Sequence, residues 1–302
     1  EVSARRNMAE KPVRGIAPVE RLLERLLREW KPDAVVCTYM VYPYMLDSLA
    51  SRTGRAVPYL TVVTDSFVIN KSWLCSKSPL WAVTDPWTRA IMEEKGLPQD
   101  RLRVTGFPVN PVLGALAKEH PLSWKEGEPF RVLYFAQRSA RHARAELAGM
   151  LDANPALHVT CILGRRFRRI YPRIRDLRAR YGRRLTVRGW TRRVPSYLAA
   201  SHVVVGKAGG ATVHEVLAAA RPMLVNFLLP GQEEGNTRLL EKLGGGGHVP
   251  DVRALASALQ EMMADGGAQW RRMHENLLRA GMTGGSGRIA DLALKLAEEH
   301  TN

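Results

Sequence analysis

Two short stretches hold the residue types that could do chemistry: GKAGGATVHEVLAAARP at 206–222 and FLLPGQEEGN at 227–236. Val203, Val204 and Val205 read as a short buried strand, Gly209 and Gly210 permit a sharp turn, and a helix is predicted to start near Ala211. The unsatisfied N–H groups and the dipole of such a helix start favour an anion. In that helix Val213, Val216, Leu217 and Ala220 follow the i, i+3, i+4, i+7 spacing of a core-facing stripe, which leaves Glu215 available to a ligand. Any parallel α/β domain has glycine-containing turns. The second polar loop, one strand later, sets this one apart.

The elements that must position these loops follow from periodicity. Strands are predicted at 34–38, 59–63, 80–83 and 102–105, with helices between them opened by Pro18, Pro43 and Pro86. Such alternation predicts a parallel sheet. Residues 114–129 lose apolar periodicity and collect proline, glycine and charge, as a linker does. A second strand series is predicted at 132–135, 158–163, 185–188, 203–205 and 223–227. The segments QRSA, GRRF, GWTR, GKAGG and LLPGQEEGN then fall at the carboxyl ends of these strands, the edge where open parallel sheets bind ligands. The expected organisation is a first domain over 1–113, a linker over 114–129, a ligand-binding Rossmann-like domain over 130–285, and a carboxy-terminal helix over 286–302 that packs back toward the first domain.

The chain has 302 residues, room for two domains each with its own core. Cys37, Cys75 and Cys161 are few, odd in number and unclustered, which suits a reducing compartment and predicts a cytoplasmic location. No apolar run is long enough to span a bilayer, and residues 1–30 lack a signal-peptide core. A formal charge of +16 calls for a polyanionic neighbour: anionic lipid, nucleic acid or a phosphorylated substrate. The excess sits at 165–193, where thirteen arginines face one acid, Asp176. Arg166, Arg169, Arg173 and Arg180 recur at helical spacing beside Ile170, Ile174 and Leu177, predicting an amphipathic basic helix that could lie on an anionic membrane or simply be solvated. With only Phe167 and Tyr171 interleaved there is no stacking platform, and no nucleic-acid partner is expected.

Five separated motifs give a more specific signal: VTD at 63–65, VTGFPVNP at 104–111, VRGWTRRVPSYLAAS at 187–201, and the KAGG and PGQEEGN loops. With them the chain resembles the GT-B glycosyltransferases that include monogalactosyldiacylglycerol synthase, the diacylglycerol glucosyltransferases and the lipid-II-forming N-acetylglucosaminyltransferase. The resemblance implies an α/β GT-B fold of two Rossmann-like parallel-sheet domains facing a cleft, with a UDP-sugar held in the second. It implies that main chain around Gly189 and Trp190 brackets the uracil and that Gly209, Gly210 and Ala211 meet the diphosphate. Glu215 would accept from the ribose hydroxyls, Gln232 and Glu233 would contact the sugar, and Asn236 would lie near the phosphates. These roles are chemically sensible: a carboxylate accepts from two vicinal hydroxyls, and glycines let backbone donors approach a pyrophosphate. No D-x-D tripeptide occurs, so neither a metal nor a cofactor is expected, and Lys207 is a candidate cation for the diphosphate.

The chain also departs from the family pattern. The glycine-rich, histidine-containing loop that ordinarily follows the first strand is not found, so the first domain is expected to be incomplete at its amino end. Asp65 is then the next acceptor-side carboxylate, either a base or the cap of the following turn. INKSW at 69–73 stands where relatives often carry a histidine before the Trp, and AQRS at 136–139 where they often carry several glycines. Arg138 could reach the diphosphate or point to solvent. His214 is expected to be a partly exposed helix residue, and His142, His202 and His248 have no assigned role. The expected activity is inverting transfer of a hexose from a UDP-sugar to a membrane lipid, diacylglycerol first, at the inner face of the cell membrane. The alternatives are transfer of N-acetylglucosamine to a polyprenyl-linked precursor, or nucleotide-sugar binding without turnover.

Overall fold

A computed structural model describes residues 16–119 and 122–301. The described chain forms two compact units, one made of residues 16–65, 69–108 and 285–301, the other of 66–68, 109–119 and 122–284.

The first unit runs α1 (Ala17–Trp30), β1 (Val35–Cys37), α2 (Val41–Thr53), β2 (Tyr59–Val62), β3 (Leu80–Val83), α3 (Pro86–Glu94) and β4 (Leu102–Val104). Its strands pair in parallel in the order β1-β2-β3-β4. Pro18 and Pro86 sit in the first turns of α1 and α3, where a missing N–H costs nothing. Asp85 caps α3 by accepting from Thr88 N at 2.8 Å. On this sheet lies the final helix of the chain (Gly285–Thr301), whose Ile289, Leu292 and Leu296 pack against Leu60, Val62 and Ala82. Arg288 ties it further by donating to Thr105 O at 2.6 Å.

The second unit opens with α4 (Val112–Glu119), so part of the stretch that reads as a linker is helical. A regular series follows: β5 (Phe130–Phe135), α5 (Ala140–Ala153), β6 (Leu157–Ile162), α6 (Phe167–Ile170), α7 (Arg175–Tyr181), β7 (Leu185–Arg188), α8 (Val194–Ala200), β8 (Val203–Lys207), α9 (Gly210–Ala218), β9 (Met223–Phe227), α10 (Gln232–Lys242) and β10 (Gly246–His248). The second unit ends with α11 (Val252–Met263) and α12 (Ala268–Ala280), and the final helix, which belongs to the first unit, is α13. All six strands are parallel in the order β10-β9-β8-β5-β6-β7, so the chain reverses its direction of progress between β5 and β8. That is the topological switch point, where a crevice opens at the carboxyl edge. The strands' aliphatic run is buried on both faces, with Val132, Leu133, Val203, Val204 and Val205 all at 1% exposure or less.

The arginine-rich stretch is not one helix. Gly164 and Gly182 adopt positive φ, Pro172 removes a backbone donor, and the segment breaks into the four-residue α6 and seven-residue α7 with 3₁₀ turns around them. The predicted two-sidedness survives the break. Ile170, Ile174 and Leu177 are buried, while Arg168, Arg169, Arg173 and Arg175 are exposed.

Candidate active site

The carboxyl edge beside the switch point gathers the polar loops of the second unit. A register shift at Gly206/Lys207 ends β8, and a Cβ on Gly206 would lie 3.3 Å from Phe135 Cβ, so this glycine lets β8 and the end of β5 run close together. The turn closes with Gly209 N donating to Lys207 O at 2.8 Å. Gly209 is the N-cap of α9 in extended conformation with no side-chain cap, and the first intrahelical bond is Val213 N to Gly209 O at 2.9 Å. The N–H groups of Gly210, Ala211 and Thr212 therefore have no intrahelical acceptor, which is the electrostatics of an anion seat. Glu215 lies one turn on from Ala211 on the same face and is half-buried, and burial raises its carboxyl above the usual range.

The second loop is held from inside. Glu233 is buried, and its two oxygens accept from Lys207 Nζ and from Leu229 N, the latter at 2.8 Å. Lys207 is thereby fixed beside the α9 start, and the Glu233 carboxylate is spent on shaping the loop. Asn236 is fully buried, donates to Ala208 O at 2.9 Å and leaves its Oδ1 without a donor among the described residues. Gln232 is exposed at the first turn of α10. After β7, Gly189 is half-buried, while Trp190 is 59% exposed under the guanidinium of Arg192 at 5.6 Å.

Arg138, just past β5, sits over the Phe227 ring at 5.3 Å and 3.6 Å from Glu146 Oε1. Glu146 is 3% exposed and also accepts from Tyr134 Oη and, at 2.9 Å, from Asn226 Nδ2. Burial pushes its carboxyl up against these partners. Glu146, Tyr134 and Asn226 had no sequence assignment, yet a signal was present. Ala143, Glu146, Leu147, Met150 and Leu151 share the i, i+3, i+4, i+7, i+8 stripe of α5, and a carboxylate inside an apolar stripe demands a partner.

His214 is not the partly exposed residue its helix position suggested. It is 1% exposed, lies 3.2 Å by Nε2 from Ser66 Oγ, and is pushed by burial down to about 3. The apolar face of α9 is wide enough to include it. His202 is a core residue too, stacked on Phe130 at 5.0 Å and edge-on to Trp270. In the first unit Asp65 is buried, accepts from Trp73 Nε1 at 2.9 Å and from the Asn70 backbone, and is raised by burial. The Trp of the INKSW stretch thus serves to anchor this carboxylate.

Residues 13–109 match the family model for monogalactosyldiacylglycerol (MGDG) synthase. The chain is 25% identical over 252 residues to the processive diacylglycerol beta-glucosyltransferase of Staphylococcus carnosus, covering 82% of this chain and 63% of that protein. The Bacillus subtilis protein of the same name is 24% identical over 285 residues, covering 92% and 73%. The chain thus spans under two thirds of the S. carnosus relative. Among solved structures, Acinetobacter baumannii MurG superposes with a TM-score of 0.64 at 15% identity over 93% of this chain and 78% of that one. The UDP-GlcNAc 2-epimerase of Neisseria meningitidis bound to UDP-GlcNAc superposes at 0.68 and 14% identity, covering 95% and 84%. Anabaena Alr3699/HepE in complex with UDP and glucose gives 0.59 at 13%, covering 95% and 84%. The chain carries the GT-B fold and is similar in sequence to diacylglycerol glucosyltransferases, and the stretch that matches the MGDG synthase model runs through most of its first unit.

Proposed function

We propose that this chain transfers a hexose from a UDP-sugar to a lipid hydroxyl, diacylglycerol first among acceptors, with inversion at the anomeric carbon. One observation carries the reading: the uncapped α9 start, Lys207 and the half-buried Glu215 converge at the switch point of a parallel sheet. In this reading Gly209, Gly210 and Ala211 receive the diphosphate, Glu215 the ribose hydroxyls, and the backbone at Gly189 and Trp190 the uracil. Gln232 reaches the sugar. Glu233 acts through the loop and lysine it holds, and Asn236 lies near the phosphates, where its amide donates to Ala208 O and braces the turn.

The acceptor oxygen bonds to the anomeric carbon as the bond to UDP breaks, and UDP leaves with the electron pair. Stabilisation of that departing charge falls to Lys207, Arg138 and the helix-end donors, without a metal ion. Asp65, whose burial raises its pKa, takes the acceptor proton. Among the described residues no helix is long and apolar enough to cross a membrane. The exposed arginines of 165–193 would hold the chain peripherally on anionic lipid at the inner face of the cell membrane.

Incubation with diacylglycerol vesicles and radiolabelled UDP-glucose, UDP-galactose or UDP-N-acetylglucosamine tests the reading. A labelled glycolipid from one donor supports it. Label appearing only in an added polyprenyl-linked acceptor would assign the second family activity, and UDP-sugar binding with no product from any donor would leave a binding protein.

A further inference from the structure

On the opposite side of the second unit's sheet from its ligand loops, toward the amino-terminal ends of β5, β6 and β7, lies a cavity of about 320 Å³ walled by α8. Arg131, His158 and Thr186 enter it from the second positions of their strands, Arg183 and Arg184 from the turn before β7, and Tyr197 from α8. Among the described residues no carboxylate lines it.

Two of the arginines are held in place. Arg184 Nη1 donates to Leu151 O at 2.9 Å and Asn154 O at 3.2 Å, and Arg131 Nε donates to Ala200 O at 2.6 Å. Carbonyls orient these guanidiniums but do not neutralise them. The one acid in the arginine-rich stretch, Asp176, is paired with Arg144 of α5 at 2.6 Å and is not among the cavity's walls. Clustered cations of one sign, Arg131 and Arg183 exposed and Arg184 half-buried, with threonine and tyrosine hydroxyls beside them, are complementary to a compact multivalent anion.

We propose that this cavity is a second anion site, distinct from the donor seat, that takes a phosphate group. The volume is at the lower end of ligand pockets, right for a phosphate with a small substituent. The phosphate can come free in solution or as the headgroup of a lipid. His158 reports occupancy locally: burial, Arg184 and Arg131 hold its imidazole below the usual range, and an anion among the same groups reverses that push.

The test is histidine-selective NMR on the full chain, with the His158 signal assigned by His158→Gln. Inorganic phosphate is expected to raise the His158 titration midpoint by about 1 pH unit relative to chloride at equal ionic strength. Arg183→Gln, an exposed change that leaves the pinned arginines in place, is expected to raise the phosphate concentration needed roughly three- to tenfold. An unmoved His158 midpoint, or an Arg183→Gln chain that responds at the same phosphate concentration, overturns the site. A parallel arm separates the sources by sedimentation with phosphatidylcholine vesicles containing phosphatidylglycerol. If Arg183→Gln loses more vesicle binding than Arg168→Gln, an equal charge change outside the cavity, the phosphate is a lipid headgroup; equal losses with a positive NMR response assign it to solution.

Discussion

Glu146 and His214 show how much the second unit invests beneath its loops. Glu146 satisfies Tyr134 Oη and Asn226 Nδ2 in the core and faces Arg138 at the loop. Glu146→Ala would strand two buried polar groups at about 1–3 kcal/mol each, whereas Glu146→Gln keeps one acceptor and costs less, a ranking that urea denaturation reads directly. His202 and His214 are held neutral, at about 4 and about 3 against an ordinary 6.5, chiefly by burial. The unfolded chain therefore binds more protons than the folded one as pH falls below 6.5. The stability these imidazoles lend is complete above that value and declines toward pH 4 and 3, at up to about 1.4 kcal/mol per pH unit each. The raised carboxyls of Asp65, Glu146 and Glu215 act with the opposite sign, so the comparison with His214→Gln isolates the imidazole. That variant should show a shallower loss of stability between pH 6.5 and 5, and identical slopes would contradict the assignment.

At the scale of elements, hydrophobic period and proline position were enough to place nine strands. Their aliphatic runs and the openings of α1 and α3 follow local rules that tertiary packing did not override. The tenth strand escaped because Gly246, Gly247 and His248 have no strand-like composition. Gly246 pairs with Met223 at φ +154, where a Cβ would fall 1.8 Å from Met223 O, so only glycine lets the chain approach β9. Gly246→Ala is accordingly expected to destabilise the second unit by about 1–3 kcal/mol or more, measurable as a lowered denaturation midpoint. The broken basic helix was illegible for a related reason. Spacing shows which residues face the core, but Gly164, Pro172 and Gly182 decide how many pieces present them. Within the site, sequence identified the loops and their outward groups. The Lys207–Glu233 bond and the Glu146 cluster depend on residues far apart in the chain, and no local pattern carries them.

Across the whole molecule, the proposed donor seat is built from one unit. The α9 start, Lys207, Glu215, the α10 loop and the turn after β7 all belong to the second unit. Under this proposal nucleotide binding is separable from acceptor chemistry, and a failed transfer reaction would not by itself remove the proposed donor site. The charge of +16 bears on a different question, the proposed attraction to an anionic surface, and predicts nothing about uridine recognition. Calorimetric titration with UDP of the wild-type chain and of Glu215→Ala is therefore the most direct measurement. Saturable binding that the substitution weakens by about 1–3 kcal/mol, with denaturation midpoint unchanged, is the predicted result. Equal UDP affinity in the two chains, or no UDP binding by the wild type, would contradict the assignment of this edge as a UDP-sugar site.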